Sequence, residues 1–540
     1  MTIQHPEAKV DVLIIGAGAS AAAFAWRMAD TKMNILCLEQ GDWTKPSEYP
    51  SAHMNWESDN AANANPNYRS NPADYPINTN DSPIAIANYN GVGGGTILFA
   101  GHFPRFHPSD FEVKSRDGVA DDWPVDYNMM APYYAENDQM MGVAGLVGDP
   151  AYPLSPAKEP TMPPVPMGRS GETLAKGFNH LGWHWWPSDI AIATTEYDGR
   201  AKCINLGACG SGCAQGAKAS TDVTYWPHAV RAGVRLKTWC RVKEITTGPD
   251  GRATGAVYFD REGTEHHQEA EIVVVACNGI GTPRLLLNSA SNGHPDGLAN
   301  SSGLVGRNLM FHPYASIEGV FEDAMDGPRG PHKNLICQQF YETDPDRGFV
   351  RGFSFEMQRG YGPVATAMRG MFTGKIPLGD GHHAAYKKLS DRIVGLVVVC
   401  EDLPELHNRV TLDPILKDSN GIPAPRVEYT LSDNSKKMIE FAVARGEEAM
   451  QAAGAVDVIK SKLVPNAGWH NLGTARMGVD PEKAVVNEWG RCHDVNNLFI
   501  IDGSIFVTAA AVNPTRTIQA LALYIADNIK QRLNDATLFE

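Results

Sequence analysis

The stretch Val10-Asp11-Val12-Leu13-Ile14-Ile15-Gly16-Ala17-Gly18-Ala19-Ser20-Ala21, with the alanine-rich run after it and a second apolar run over 34–38 closed by Glu39, decides how this chain folds. The first run is short, continuous and apolar, the pattern of a strand buried on both faces of a parallel sheet. The glycine-rich turn predicts a helix to about residue 30 and the second run predicts another strand, so a βαβ unit is complete by Glu39. Gly16 makes the tight turn, Gly18 lets backbone N–H groups approach a pyrophosphate, and Ala21 is small enough for close helix–strand packing. The helix N-terminus attracts the anion, and Ser20 adds a hydroxyl. Glu39 is placed to accept hydrogen bonds from an adenosine ribose, and an acid there disfavours a 2′-phosphate. A GxGxxA turn alone opens many helices that bind nothing. With strand, helix and terminal acid in register it predicts a bound dinucleotide, NAD or FAD.

Outward from this unit, 540 residues and 58.6 kDa are enough for two to four structural units with a large core. A net charge of −15 argues against nucleic acid and anionic membranes as partners. No run approaches the ~20 apolar residues of a membrane span. The first residues show no basic, cleavable leader, so the expected location is cytoplasmic, or periplasmic if a partner subunit carries the chain across. Nine cysteines, an odd number, fit a reducing compartment. Residues 42–80 are polar and aperiodic, the look of a long loop, and 145–170 read as a Pro- and Gly-rich crossover. Residues 271–277 read as a further buried strand. Alternating texture between 312 and 430, clearest at 350–357, 393–400 and 409–412, predicts an antiparallel sheet. Residues 432–453 read as an amphipathic helix, and a last strand at 498–502 precedes a C-terminal helix.

Three further blocks fit one another. Gly93-Gly94-Gly95-Thr96 leads to Pro104-Arg105-Phe106; Ala276-Cys277-Asn278-Gly279 opens onto Leu285-Leu286-Leu287; His470-Asn471-Leu472-Gly473 precedes Asp502-Gly503-Ser504 and Asn513-Pro514-Thr515. With the N-terminal turn they resemble the glucose–methanol–choline (GMC) family of FAD oxidoreductases, nearest in kind to its sugar-oxidising branch of glucose, gluconate and glycoside 3-dehydrogenases, pyranose oxidases and glycoside 3-oxidases. The resemblance implies an α/β fold: a discontinuous Rossmann-like FAD-binding domain (1–45, 85–145, 200–311 and 462–540) and a substrate-binding domain (146–199 and 312–461) built on an antiparallel sheet, with 46–84 as a loop or lid. It puts Gly94 and Thr96 against the isoalloxazine or pyrophosphate, the Val242 backbone at the adenine, Ala276 and Gly279 beside the adenosine, and Asp502 facing the pyrophosphate. Where pyranose oxidase carries the histidine that bonds to its flavin, this chain has Leu98, so FAD is expected to be non-covalent; His102 is nearby but out of register.

Oxidation of an alcohol removes a hydride from carbon and a proton from oxygen, and a neutral imidazole suits the second task. The resemblance gives His470 as base, with the hydride passing to flavin N5, and Asn513 as the partner that holds the substrate hydroxyl. Asn513 also reads as the N-cap of the C-terminal helix, with Pro514 at its first position. The implied reaction is oxidation of a secondary alcohol on a sugar or glycoside, at ring C2 or C3, to a ketone. The alternatives are an FAD-containing lyase of the hydroxynitrile lyase type and an oxidase of a non-sugar alcohol. Cys203, Cys209 and Cys213 lie in a glycine-rich loop that carries two readings: the [3Fe–4S] loop of membrane-linked relatives, which pass electrons to an acceptor protein, or a structural loop. A small helper subunit is a further implied partner. Trp183, Trp185 and Trp186 read either as a sugar-stacking cluster or as core.

Overall fold

The computed structural model describes residues 8–58, 71–152, 160–535, 537 and 538. At its centre the Val10–Ile15 strand runs parallel to Ile35–Leu38 on one side and to the second half of Glu265–Val275 on the other. Arg235–Lys237 extends this sheet beyond Ile35–Leu38, and Leu498–Ile500 extends it beyond Glu265–Val275, both in parallel. Leu13, Ile14, Val273 and Val274 have no accessible surface. Continuous Val, Ile and Leu runs suit a sheet with both faces covered. The Ala19–Met28 helix packs over it beside the C-terminal helix Thr515–Asn534, which is why so many alanines occupy the first helix. The first half of Glu265–Val275 instead enters an antiparallel meander with Ala253–Phe259 and Arg241–Thr247.

A second sheet is antiparallel throughout, in the order Asp457–Ser461, Tyr314–Val320, Ile393–Cys400, Phe353–Gln358, Leu335–Cys337 and Trp186–Pro187. Its faces differ by the period of two that a strand imposes. Ile317, Phe355, Met357, Leu396 and Val398 pack with Met438, Ile439 and Ala442 of the Asp433–Ala452 helix. Tyr314, Ser316, Glu318, Glu356, Gln358 and Val397 point the other way, into the main cavity.

Two expectations about these segments change. The strand predicted at 409–412 runs Arg409–Lys417 and lies outside the six-stranded sheet; it pairs with Pro423–Glu428, which takes Asn78–Asp81 in parallel to form a third, small sheet. Asn78–Asp81 comes from the segment read as an irregular loop: its two Asn and its Asp have poor strand propensity, and backbone pairing with Pro423–Glu428 overrides it. The central part of the expected lid, 59–70, lies outside the described residues. Trp183 packs against Phe178, Phe340 and Phe355 in the second core, so it is a core residue. Among the described residues no helix is long and apolar enough to cross a membrane.

Candidate active site

A cavity of about 1630 Å³ is walled by both larger sheets, above the ~300–1,000 Å³ usual for one small-molecule pocket. One end is built from backbone. Gly16 has φ +95°, and a Cβ there would lie 2.6 Å from the Ala276 carbonyl oxygen. The Gly94 backbone closes onto Gly18, where a Cβ on Gly94 would be 2.8 Å from the Gly18 Cα. Only glycine permits either approach. A Cβ on Gly18 would meet no protein atom within 4 Å, so that turn opens into free space at the start of the Ala19–Met28 helix. Ser20, Glu39, Val242 and Ala276 line the same end, while Ala21 is buried beneath it. Glu39 accepts the Ala17 and Gly41 N–H groups at 2.8 Å each, one on each carboxylate oxygen, which fixes the acid at the cavity wall. This glycine cradle, helix end and acid fit the adenosine and pyrophosphate of a dinucleotide.

The other end is built from side chains. His470 and Asn513 both line it. His312 Nε2 lies 3.1 and 2.9 Å from the carbonyl oxygens of Ala509 and Ala510, two acceptors, so it must carry a proton. Burial pushes His312 down to about 4, so the ring is neutral near pH 7 and its Nδ1 is a lone-pair acceptor. His470 Nδ1 is 2.9 Å away and must therefore donate. The consequence reaches the cavity: His470 keeps an unprotonated Nε2, and burial followed by the neighbouring His312 holds its pKa well below 6.5.

Asn513 is oriented in a similar way. Its Oδ1 lies 2.7 Å from His102 Nδ1, and an amide oxygen only accepts, so that nitrogen carries the proton; Glu356 Oε1 stands 3.0 Å from the same nitrogen. The amide N–H groups of Asn513 are thus left for the cavity. Glu356 is 1% exposed and sits 3.2 Å from the Lys333 ammonium. Burial alone would raise this carboxyl, but His102 and Lys333 outweigh that and hold it at about 2.

Several expected residues stand elsewhere. Asn513 is not the helix cap: the Thr515–Asn534 helix begins after Pro514, with no side-chain cap, because the Asn513 oxygen is taken by His102. The helix N-terminus still faces the cavity through Pro514 and Thr515. Gly279 does not line the cavity; a Cβ there would lie 2.4 Å from the Asn471 carbonyl oxygen, so it packs backbone against the His470 segment. The Asp502 carboxylate accepts Ser504 N, Asn278 N and Thr282 Oγ1, tying two turns together and facing protein donors at the cavity wall. The Thr96 hydroxyl donates to Gly93 O at 2.6 Å and accepts Thr221 N at 3.0 Å, so it is used inside its own loop.

The three cysteines come together at one small apolar cluster, with Cys209 buried in it and Cys203 and Cys213 packed against it. Among the described residues, no group of three or more His, Cys, Asp or Glu side chains is placed to hold a metal. Burial, only partly offset by Lys218, pushes the Cys209 thiol up to about 12. The buried Lys218 instead pins the loop, donating to the carbonyls of Ile97, Phe99 and Cys209 at 2.6, 2.8 and 2.8 Å. The loop serves as cavity wall through Gly207, Ala208, Gly210 and Ser211.

Nothing in the local sequence marks His102, His312, Lys333 or Glu356 as site residues. His102 is out of register for a flavin bond, and its part is played through Asn513. Ser354, Glu356 and Gln358 do alternate with Phe353, Phe355 and Met357, but such alternation reads equally well as a face turned to solvent.

A dinucleotide cradle joined to a histidine–asparagine pair defines a flavin-dependent oxidoreductase acting on alcohols. The chain belongs to the GMC oxidoreductase family: the family's N-terminal domain matches residues 10–314 and its C-terminal domain residues 404–522. It is similar to a 2-methyl-1,2-propanediol dehydrogenase of Mycolicibacterium austroafricanum, 42% identical over 98% of this chain and 96% of that protein. It is also similar to the fructose dehydrogenase large subunit of Gluconobacter japonicus, 31% identical over 97% of this chain and 98% of the relative. A crystal structure of formate oxidase shares the fold, with a TM-score of 0.64 at 16% identity, covering 98% of this chain and all of the other.

Proposed function

We propose that this protein oxidises one hydroxyl of a polyhydroxy compound, a sugar, glycoside or small diol, to a carbonyl. His470 Nε2 takes the hydroxyl proton, and the Asn513 amide holds the oxygen. The observation that carries this reading is the fixed tautomer of His470: two backbone carbonyls dictate His312, His312 dictates His470, and an unprotonated nitrogen faces the cavity beside an asparagine donor. Non-covalent FAD held by Gly16, Gly18, Ser20, Glu39, Gly94, Val242 and Ala276 supplies the hydride acceptor. The ionised Glu356 favours the positive charge that His470 gains with the proton.

In this reading the six-stranded sheet carries the substrate half of the molecule and the parallel sheet the cofactor half. The sugar reading draws support from the fructose-oxidising relative, and a small-diol reading from the propanediol-oxidising one. An acceptor protein or helper subunit for the electrons fits a relative named as a large subunit. The test is anaerobic bleaching of the bound flavin by a panel of sugars, glycosides and diols, with the product identified by NMR. Bleaching with formation of a carbonyl is the expected result; a lyase would turn over with its flavin still yellow.

A further inference from the structure

We infer that the cavity contains a second binding point, made by Lys333 and Glu356, for a hydroxyl on the carbon next to the one oxidised, so that the substrate class is the vicinal diol unit. This rests on the proposed function and sharpens it.

The wall around Glu356 holds buried polar groups whose hydrogen bonds the protein does not complete. Neither oxygen of Glu356 receives an aligned hydrogen bond, although His102 and Lys333 stand 3.0 and 3.2 Å away. His102 Nε2 and His332 Nδ1 are likewise buried without a partner, and all four residues line the cavity. Buried polar groups are nearly always hydrogen-bonded, so such a concentration at one wall points to a ligand that completes it. Lys333 has three N–H donors and makes one contact, to Glu356.

An ammonium next to a carboxylate offers a donor and an acceptor side by side. That is the complement of a hydroxyl, which gives one hydrogen bond and accepts another. The pair also discriminates: a neighbouring carboxylate would be repelled by Glu356 and a neighbouring ammonium by Lys333. Ser316, Val397 and Glu356 form one row across the cavity face, and Glu318, Gly395 and Gln358 the next, so polar groups flank a low central strand. The anchor is joined to the reacting end through His102, which touches both Glu356 and Asn513. A hydroxyl on Lys333 and Glu356 is therefore one bonded network away from a hydroxyl on Asn513.

The test uses the FAD-loaded enzyme and pairs of alcohols differing in one hydroxyl, 2-methyl-1,2-propanediol against 2-methyl-1-propanol and 1,2-propanediol against 1-propanol. In the first pair the extra hydroxyl is tertiary and cannot be oxidised, so it acts only in binding. The expected result is a kcat/KM for anaerobic flavin reduction at least about a hundredfold higher for each diol, since a site built to bond a hydroxyl rejects the analogue lacking it. In Lys333→Met that ratio should fall by roughly tenfold or more. Lys333→Gln, which keeps a donor, should fall less. The flavin spectrum of each variant reports folding. Equal rates for diols and monohydric alcohols in the wild type would overturn the anchor while leaving the proposed function standing, and so would an unchanged ratio in a flavin-loaded Lys333→Met. If neither kind of alcohol, nor any sugar, bleaches the flavin, the proposed function falls and the anchor with it.

Discussion

The two ends of the cavity are built from different materials. The cofactor end is a backbone structure in which Gly16, Gly18 and Gly94 matter for the side chains they lack. The reacting end is a side-chain structure in which His102, His312, His470, Lys333 and Glu356 matter for where each proton sits. An added side chain therefore does harm at one end, and a displaced proton does harm at the other.

Substitutions at the glycines should produce the largest effects. Gly16→Val puts a branched side chain at φ +95° and against the Ala276 carbonyl, so the protein is expected to fold poorly and to purify without flavin. Gly18→Ala sharpens the contrast, because its Cβ meets no protein atom. It should leave the melting temperature of the FAD-free protein almost unchanged while weakening FAD binding, measured by flavin absorbance and fluorescence titration. A Gly18→Ala protein that retains FAD at wild-type affinity would break the idea that this space belongs to the cofactor.

A smaller effect is expected one step back from the reacting end. His312→Leu removes the acceptor that fixes His470, and flavin reduction should slow by about 10- to 100-fold with FAD still bound. His312→Gln, whose amide both donates and accepts, should recover part of the loss. A direct reading comes from ¹⁵N NMR of histidine-labelled protein, in which His470 should carry its proton on Nδ1; a proton on Nε2 would contradict the tautomer argument. Smaller again is the pH dependence of stability. His312 lies at about 4 when folded against 6.5 in the unfolded chain, so between these values the unfolded state binds more protons. Stability is then complete above pH 6.5 and declines as the pH falls towards 4, by about 3 kcal/mol in all. His312→Gln should lose that part of the slope in urea titrations. The smallest effect belongs to the cysteine loop: Cys213→Ser should keep its FAD and its reduction rate, because Cys213 is not among the residues that line the cavity.

The same contrast explains what was legible in the sequence. The βαβ unit could be read directly because Gly16, Gly18 and Glu39 lie within one local pattern and their constraints are backbone constraints. His470 and Asn513 were reached through resemblance, since a histidine means little until its neighbours are known. His312 pairs with His470 across 158 positions of sequence, and nothing local marks it. Glu356 was hidden by its strand, whose polar face turns to a cavity and not to water. The Asn513 cap was plausible by local rules and lost to a tertiary contact with His102.

The central claim is that the His470 imidazole takes the proton as the alcohol is oxidised. Stopped-flow measurement of anaerobic flavin reduction in His470→Ala tests it most directly. The account predicts a protein that is yellow and folded, with a reduction rate lowered by roughly 10²- to 10⁴-fold or more. In the wild type, the rate should hold down through pH 6.5 and fall only in more acid solution, since His470 is neutral above its lowered pKa. A His470→Ala enzyme reduced by substrate at the wild-type rate would contradict it.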